Sequence, residues 1–233
     1  MYQVVVSADR DIVVDGSVPG AIVTGRGGMV CNTLAVAAAL GATASGIVAC
    51  GDDLVGAELC VMFAAENVIF EKILTSATPI TLSLVNGTNR SLVIGHSGIR
   101  EPQLSAVAVA AAWDRFQVKP DWVFMTLPAL DSAAGAELVR LATVAGSSVA
   151  VTLSSAGHVA ERSEKLEALL SSASIVFANN DEWSAVPGSC LVGCPVVVTA
   201  GAGPAVIRFN GGLHTVSPRI APLVLDTTGA GDA

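Results

Sequence analysis

The sequence predicts an α/β fold, a mostly parallel sheet flanked by helices, in a single domain over residues 1–233. Two observations support this fold class. The composition is 52% hydrophobic and only 14% charged, so the chain can bury a large core and is not intrinsically disordered. From residue 101 onward, helical and strand patterns alternate along the chain, which is typical of parallel strands joined by helices.

The N-terminal part of the chain predicts strands and helices with a small β lid. Residues 2–7 are an apolar run typical of a strand inside a sheet. Residues 12–26 and 78–98 hold short apolar pieces among glycines, which predicts that these two segments together form the lid. The other elements predicted here are helices at 29–40 and 54–66, strands at 45–50 and 68–74, and two strands within 79–94 joined by a turn at 86–89.

The C-terminal part carries the alternating pattern. A further apolar, strand-like run at 220–225 leads into the last eight residues of the chain. The predicted helices are 104–113, 132–145, 161–172 and 181–186, and the predicted strands are 121–125, 148–153, 174–178 and 195–198.

Charge and cysteine content exclude several classes of protein. The formal net charge is −8 and no Lys/Arg cluster is present, which argues against a nucleic-acid partner. Residues 29–51 contain no charge, but their Ala/Gly content and the break at Gly41 predict a buried helix and strand instead of a membrane span. Because no signal peptide is recognisable, we expect a cytoplasmic protein with no membrane partner. The five cysteines lack a Cys-x-x-Cys pair and favour reduced, buried thiols; the three histidines are expected on the surface or in loops, without a metal.

The last eight residues carry the clearest chemical signal. Gly229-Ala230-Gly231 follows two threonines, and glycines let backbone amides converge on an anion because no Cβ blocks its approach. A helix after this turn would add the N–H groups of its first turn to the anion site. Asp232 then lies where a general base is useful, so the stretch indicates phosphoryl transfer. The plain alternatives are a strand-to-helix turn for the glycines and a helix N-cap for Asp232.

Five motifs of the chain resemble, in the same order, those of the ribokinase-like (PfkB) carbohydrate kinase family. A single glycine-rich turn is weak support for a family, whereas five ordered motifs that span nearly the whole chain are strong support. The motifs are Gly27-Gly28 followed by Asn32, Gly51-Asp52-Asp53 followed by Gly56, Asn179 with Glu182, Thr199 with Gly201, and Asp226 to Asp232.

The resemblance implies a ribokinase-like three-layer α/β/α fold and ATP-dependent phosphorylation of a hydroxyl group on a sugar or nucleoside. Asp232 is then the general base that takes the proton from the acceptor hydroxyl. The amides of Gly229, Ala230 and Gly231 would stabilise the charge on the transferring phosphoryl group. The cofactors implied are ATP and Mg²⁺, with a monovalent cation as a further candidate.

The resemblance also implies where the acceptor binds. Asp11, Gly28 and Asn32 match the family's contacts to sugar hydroxyls, which a carboxylate and an amide can fix by accepting and donating hydrogen bonds together. An acid in an ordinary turn is the alternative for Asp11. Asp52 and Asp53 are expected to be structural, capping the helix that follows them.

The nucleotide side is implied by the later motifs. Asn179, Thr199 and Gly201 match the cofactor-binding positions of the family, and Glu182 the residue that organises Mg²⁺ with its waters. Since Mg²⁺ is usually held through water and few protein carboxylates, the absence of a dense acidic motif is no objection. A capped helix start is the alternative for Asn179.

Three departures from the family pattern bear on substrate and activity. Met29 and Val30 replace the Lys-Gly of the ribokinase subgroup, which argues against ribose as the acceptor. Residues 151–155 resemble the Asn-Leu-Ser stretch of adenosine-kinase-like members more than the Asp-x-Asn-x-Arg of many sugar kinases. The sequence ends one residue after Asp232, whereas family members continue with a helix, so we expect part of the nucleotide pocket to lie outside these 233 residues.

Two alternatives stay open at this point. Lid edges pair between subunits in members of this family, so the resemblance makes a homodimer through the lid one expectation, and a monomer with a short lid the other. A catalytically inactive sugar- or nucleoside-binding or regulatory protein derived from this fold is the alternative to the kinase. The early end of the sequence after Asp232 favours that second reading.

Overall fold

The structure, a computed structural model, describes residues 2–8, 20–86, 89–95, 104–190 and 192–218. These residues form two compact units that divide between Leu104 and Ser105. Each unit has its own sheets and its own hydrophobic core cluster.

The first unit contains a four-stranded sheet, two helices and a pair of parallel strands. Its elements are β1 (Tyr2–Ala8), β2 (Gly20–Arg26), α1 (Met29–Ala39), β3 (Ser45–Gly51), α2 (Leu54–Ala65), β4 (Ile69–Thr75), β5 (Ile80–Asn86) and β6 (Asn89–Gly95). In the larger sheet, β1 lies between β2, its antiparallel neighbour, and β5, its parallel neighbour, while β6 pairs antiparallel with β5. The strands at 20–26 and 80–95 that the sequence assigns to the lid therefore lie in one sheet, on either side of β1.

The core of the first unit is organised by α2. Leu59 and Phe63 lie one turn apart on this helix and are both fully buried. The Phe63 ring packs against Phe70 of β4, with 5.2 Å between the ring centroids. The uncharged stretch 29–51 forms α1 and β3, as its Ala/Gly content predicts. Within the described residues, no helix has both the length and the hydropathy that a membrane span requires.

The second unit is a six-stranded sheet with helices between its strands. Its elements are α3 (Ala106–Arg115), β7 (Trp122–Thr126), α4 (Leu127–Leu130), α5 (Ala133–Ala145), β8 (Ser148–Thr152), α6 (Ala156–Glu161), α7 (Leu166–Leu170), β9 (Ile175–Asn179), α8 (Asn180–Ser184), β10 (Val196–Ala200), β11 (Gly203–Phe209) and β12 (Gly212–Val216). Strands β7 to β10 run parallel, and β11 and β12 extend the sheet antiparallel. The predicted, mostly parallel sheet is confirmed.

The core of the second unit lies on the two central strands. Val151 of β8 and Val176 of β9 have no exposed surface, and fully buried Leu127, Val159 and Leu166 from three helices belong to the same cluster. Burial of this kind explains why these strands are continuous apolar runs instead of alternating ones.

The second unit differs from the sequence-based prediction in two larger details, and the prediction also lacks the short helix α4. The helix predicted at 161–172 is two short helices, α6 and α7. Ser155 starts α6 early by accepting a hydrogen bond from the His158 amide at 3.1 Å. The turn between the helices is held by Asp131, whose carboxylate pairs with Arg162 at 2.9 Å and Lys165 at 2.6 Å.

The second difference is the hairpin of β11 and β12, which the sequence did not predict. Its two-residue turn is Asn210-Gly211, with φ of 50° and 75°. Positive φ at both central residues is what a type I′ turn requires, and Asn-Gly is the preferred dipeptide for it. Phe209 and Gly212 pair directly across this turn.

Candidate functional site

The predicted nucleotide-binding residues meet at the carboxyl edge of the parallel sheet. Asn179 is the last residue of β9, and Thr199 of β10 is its partner in the strand register. Gly201 follows β10 directly, in the left-handed region with φ of 59°. Open α/β sheets bind ligands at this edge, outside the carboxyl ends of the strands. The structure thus brings together the three residues that the sequence places around the nucleotide.

Asn179 and Glu182 form a reciprocal capping box at the start of α8. The Asn179 side-chain oxygen accepts from the Glu182 amide at 2.8 Å, and the Glu182 carboxylate accepts from the Asn179 amide at 3.0 Å. The Asn179 side-chain nitrogen also donates to the other carboxylate oxygen at 2.9 Å. The capped helix start that the sequence left as an alternative is therefore present, and it holds a buried carboxylate at the sheet edge.

The donor set at this edge fits Mg²⁺ through water better than through direct protein ligands. Glu182 offers carboxylate oxygens, the hard ligands that Mg²⁺ takes, and Mg²⁺ commonly keeps several waters. Among the residues that the structure describes, no group of three or more His, Cys, Asp or Glu side chains is arranged to hold a metal.

Hydroxyl groups follow the neighbouring strands at the same edge. The Thr199 hydroxyl donates to the Ala178 carbonyl at 3.3 Å, and Thr126 at the end of β7 caps α4. After β8, Ser154 has a φ of 72°, a left-handed conformation that is uncommon for a residue with a side chain. Ser154 lies in the stretch 151–155 that sets the sequence apart from many sugar kinases. Such strain concentrates at functional sites.

In the first unit, Gly27-Gly28 forms the turn that starts α1. Gly28 has φ of 89° and ψ of 142°, a conformation that only glycine adopts readily. A Cβ on Gly27 would lie 2.6 Å from the side chain of Gln3, so this position leaves no room for a larger residue. The Asn32 backbone amide donates to the Gly28 carbonyl at 3.0 Å, which places Gly28 and Asn32, two of the three predicted acceptor-binding residues, at the first turn of α1.

Asn32 is held by a side chain that the sequence analysis did not single out. Arg26 donates from Nη1 to the Asn32 side-chain oxygen at 2.9 Å and from Nε to the Glu66 carboxylate at 2.5 Å. The only signal in the sequence is an arginine directly before Gly27-Gly28, in a chain with 12 Lys and Arg residues in all.

The Gly-Asp-Asp motif has a structural role, as predicted for Asp53. Asp53 caps α2 by accepting from the Gly56 amide at 2.7 Å, and it also accepts from the Thr78 amide and hydroxyl, both at 2.8 Å. These hydrogen bonds, first that of the Thr78 amide and then that of Gly56, hold the pKa of the Asp53 carboxyl below its ordinary value. Asp52 does not cap the helix, which corrects the prediction: its side chain is 97% exposed and lies 3.7 Å from Lys72.

The remaining predicted residues are placed as follows. Asp11, Gly229, Ala230, Gly231 and Asp232, and the run at 220–225, lie outside the described residues, so their roles stay predictions. All five cysteines are free thiols. His158, expected on the surface or in a loop, is half-buried within α6, and its buried Nδ1 makes no hydrogen bond.

A protein-family model matches nearly the whole chain. The model of the pfkB family carbohydrate kinases matches residues 4–233, which include all five motifs described above. A search of curated protein sequences gives no significant match.

Solved structures share the fold at low sequence identity. A putative ribokinase II from E. coli, in its apo form, superposes with a TM-score of 0.79 at 17% identity, covering 99% of this chain and 80% of the other. The adenosine kinase of Sinorhizobium meliloti gives 0.74 at 20% identity, with 100% and 81% covered. The adenosine kinase of Schistosoma mansoni, in complex with 2-fluoroadenosine, gives 0.75 at 14% identity, with 100% and 84% covered. The chain therefore has the ribokinase-like α/β/α fold.

Proposed function

Because this chain belongs to the pfkB family of carbohydrate kinases, we propose that it transfers the γ-phosphoryl group of ATP to a hydroxyl group of a sugar or nucleoside. The observation that carries the proposal is the Asn179–Glu182 pair at the end of β9, beside Thr199 on β10. A buried carboxylate held by an amide at a sheet edge can accept hydrogen bonds from the waters of a phosphate-bound Mg²⁺.

The chemistry is proposed to depend on positioning and electrostatics. Asp232 takes the proton from the acceptor hydroxyl as its oxygen attacks the γ-phosphorus. The amides of Gly229, Ala230 and Gly231 donate hydrogen bonds to the oxygens of the transferring group, where negative charge is concentrated. These roles rest on the order and spacing of the motif in the sequence.

The nucleotide is proposed to bind along the carboxyl edge of the second unit. Thr199 and Gly201 line the path of the nucleotide, and the positive φ of Gly201 lets the backbone turn there without a side chain in the way. Asn179 and Glu182 hold Mg²⁺ through water, and Mg²⁺ when bound neutralises phosphate charge.

The acceptor is proposed to contact Asp11, Gly28 and Asn32. A polyol presents adjacent hydroxyls that accept and donate hydrogen bonds, which a carboxylate and an amide match together. Both acceptor classes have support: the similar structures include adenosine kinases, one of them with a bound nucleoside analogue, and a putative ribokinase. The replacement of Lys-Gly by Met29-Val30 favours acceptors other than ribose.

The test is a coupled ADP-release assay with ATP and Mg²⁺ over a panel of sugars and nucleosides that includes adenosine. Turnover with one acceptor is expected, reduced about 10²–10⁴-fold in Asp232→Asn because the general base is lost. Asp52→Asn is the matched control, since the Asp52 side chain is 97% exposed and should leave turnover unchanged. Full activity of Asp232→Asn would remove this residue from the mechanism. Binding of a sugar or nucleoside without any turnover, in this chain and in any longer form that the gene encodes, would instead establish the inactive, ligand-binding alternative.

A further inference from the structure

Arg26 joins three elements of the first unit at the Gly27-Gly28 turn. It is the last residue of β2, and its side chain is only 25% exposed. One arm of the guanidinium reaches Asn32 in the first turn of α1, and another reaches Glu66, the residue that ends α2. Because a guanidinium is planar and carries its donors in a fixed fork, the two contacts hold each other in place.

The contact with Arg26 determines which way the Asn32 amide faces. A guanidinium only donates hydrogen bonds, so the atom of Asn32 at 2.9 Å from Nη1 is the side-chain oxygen. The side-chain NH₂ group then lies on the opposite side of the amide. An asparagine without such a partner can present either its oxygen or its nitrogen to a ligand.

We propose that Arg26 is a positioning residue for the acceptor site: it fixes Asn32 so that the amide NH₂ donates a hydrogen bond to a hydroxyl oxygen of the acceptor. The inference rests on the proposed function and adds to it a reason for selectivity. The site then favours an acceptor with a hydroxyl oxygen at that position over the deoxy analogue, because the deoxy analogue cannot accept this hydrogen bond.

Glu66 supports this arrangement from the other side. Its carboxylate is 34% exposed and accepts from Nε, which leaves Nη1 directed at Asn32. Lysine has a single flexible ammonium in place of the fork, so it can satisfy one of the two partners but not both in the same geometry. A graded series is therefore expected, in which Arg26→Lys has a partial effect and Arg26→Met the full effect.

The first measurement reports on Asn32 itself and needs no substrate. In ¹H–¹⁵N spectra the Asn32 side-chain NH₂ pair is identified by its loss in Asn32→Ala. In Arg26→Met this pair is expected to move, and in Arg140→Met it is expected to stay unchanged. Arg140 is a matched control, because it pairs with Glu137 at 2.7 Å on an exposed helix face of the second unit. An unmoved Asn32 signal in Arg26→Met would overturn the proposal.

The second measurement is steady-state kinetics with the acceptor found in the ADP-release panel and with its deoxy analogues. In Arg26→Met, the KM for the acceptor should rise about three- to tenfold, the range of one hydrogen bond, while the KM for ATP is unchanged. This rise in KM should be absent for the one deoxy analogue that lacks the hydroxyl facing Asn32. The double variant Arg26→Met/Asn32→Ala should have the same KM for the acceptor as Asn32→Ala alone.

The outcomes separate this inference from the proposed function. An unchanged KM for the acceptor, or equal changes for acceptor and ATP together with a lower unfolding midpoint, would mean that Arg26 serves stability alone. If the wild-type chain neither binds nor phosphorylates any acceptor, the proposed function fails. In that case the Asn32 side-chain NH₂ signals in Arg26→Met still show whether Arg26 fixes the Asn32 amide.

Discussion

Gly28 has a backbone conformation that residues with a side chain adopt only under strain. Its φ of 89° with ψ of 142° lies outside the regions open to residues with a Cβ. We expect Gly28→Ala to lower the free energy of unfolding by about 1–3 kcal/mol, because the new Cβ strains the turn that starts α1. Urea unfolding followed by circular dichroism measures the change.

Gly157→Ala is the control for that substitution. Gly157 lies within α6, and an added Cβ would come no closer than 3.8 Å to the Ser155 hydroxyl. Because alanine has the higher helix propensity, this variant should be neutral or more stable by up to about 1 kcal/mol. Equal losses in both variants would contradict a special role for the Gly28 backbone.

The ionisation of the Asp53 carboxyl makes the free energy of unfolding depend on pH. Its folded-state pKa is lowered by the Thr78 and Gly56 hydrogen bonds, below the unfolded value of about 3.9. A group with a depressed pKa contributes stability above its unfolded pKa, and that contribution is lost as the pH falls through the folded pKa. The wild type should therefore lose stability on acidification below about pH 4, and Asp53→Asn should lose less over the same range.

Asp53→Asn should also lower the free energy of unfolding at neutral pH. An asparagine at position 53 cannot accept from both Gly56 and the Thr78 amide, so Asp53→Asn should cost about 1–3 kcal/mol at pH 7. Asp52→Asn should change stability by less than about 0.5 kcal/mol at any pH, since that side chain is exposed. Urea unfolding from pH 3 to 7 tests both, and parallel pH profiles for wild type and Asp53→Asn would count against the assignment.

At the scale of elements, the packing of α5 against α4 depends on Gly135. A Cβ there would lie 1.9 Å from the carbonyl oxygen of Ala129, a backbone atom that cannot turn away. Gly135→Ala should therefore push the helices apart and cost at least about 1–3 kcal/mol. Gly188→Ala, where a Cβ meets nothing within 4 Å, should be nearly neutral when the two variants are compared by thermal unfolding.

The capping box of α8 links an element to the proposed chemistry. Asn179→Ala removes the two hydrogen bonds that the Asn179 side chain makes with Glu182 and leaves the one made by the Asn179 backbone amide. The loss of the cap should cost about 0.5–2 kcal/mol, and the freed carboxylate should raise the Mg²⁺ concentration needed for half-maximal turnover. Asn180→Ala, one residue later, should change neither quantity, and a shift in Mg²⁺ dependence for both variants would contradict the assignment.

The sequence predicts best the elements that are determined by residues close together in the chain. Strands β8 and β9 are apolar runs whose buried valines belong to the core cluster of the second unit, and α2 has its cap at Asp53 and its apolar turns within twelve residues. The hairpin of β11 and β12 was missed because its residues 203–216 are mostly exposed and three glycines interrupt the strand pattern. The break between α6 and α7 depends on Asp131, which lies some thirty residues earlier in the chain.

The residues of the site also divide into predictable and unpredictable ones. Residue types in a fixed order predicted Asn179, Glu182, Thr199 and Gly201, and parallel strands bring such positions to one edge. The contact between Arg26 and Asn32 could not be predicted, because it depends on the unusual φ at the intervening Gly28.

At the scale of the whole molecule, stability rests on two separate hydrophobic clusters. Val48 belongs to the cluster of the first unit and Val176 to that of the second, and the clusters share no residue. Each Val→Ala change should cost about 2 kcal/mol, from the lost methyl groups and the cavity left behind. Since substitutions without shared partners add, the double variant should lose the sum within about 0.5 kcal/mol. A larger deviation in urea unfolding would reveal coupling between the clusters.

The turn at Asn210-Gly211 affects the chemical stability of the protein on storage. Glycine lacks a side chain, so its backbone nitrogen can attack the preceding asparagine's side-chain amide carbon and close a succinimide ring with release of ammonia. Water then opens the ring to aspartate or isoaspartate. Both residues are exposed to the water that this hydrolysis needs. The isoaspartate product adds a methylene group to the main chain of a two-residue loop that pairs Phe209 with Gly212. On long storage, deamidation at this hairpin should therefore split preparations into charge variants whose outer strand, β12, has lost its register.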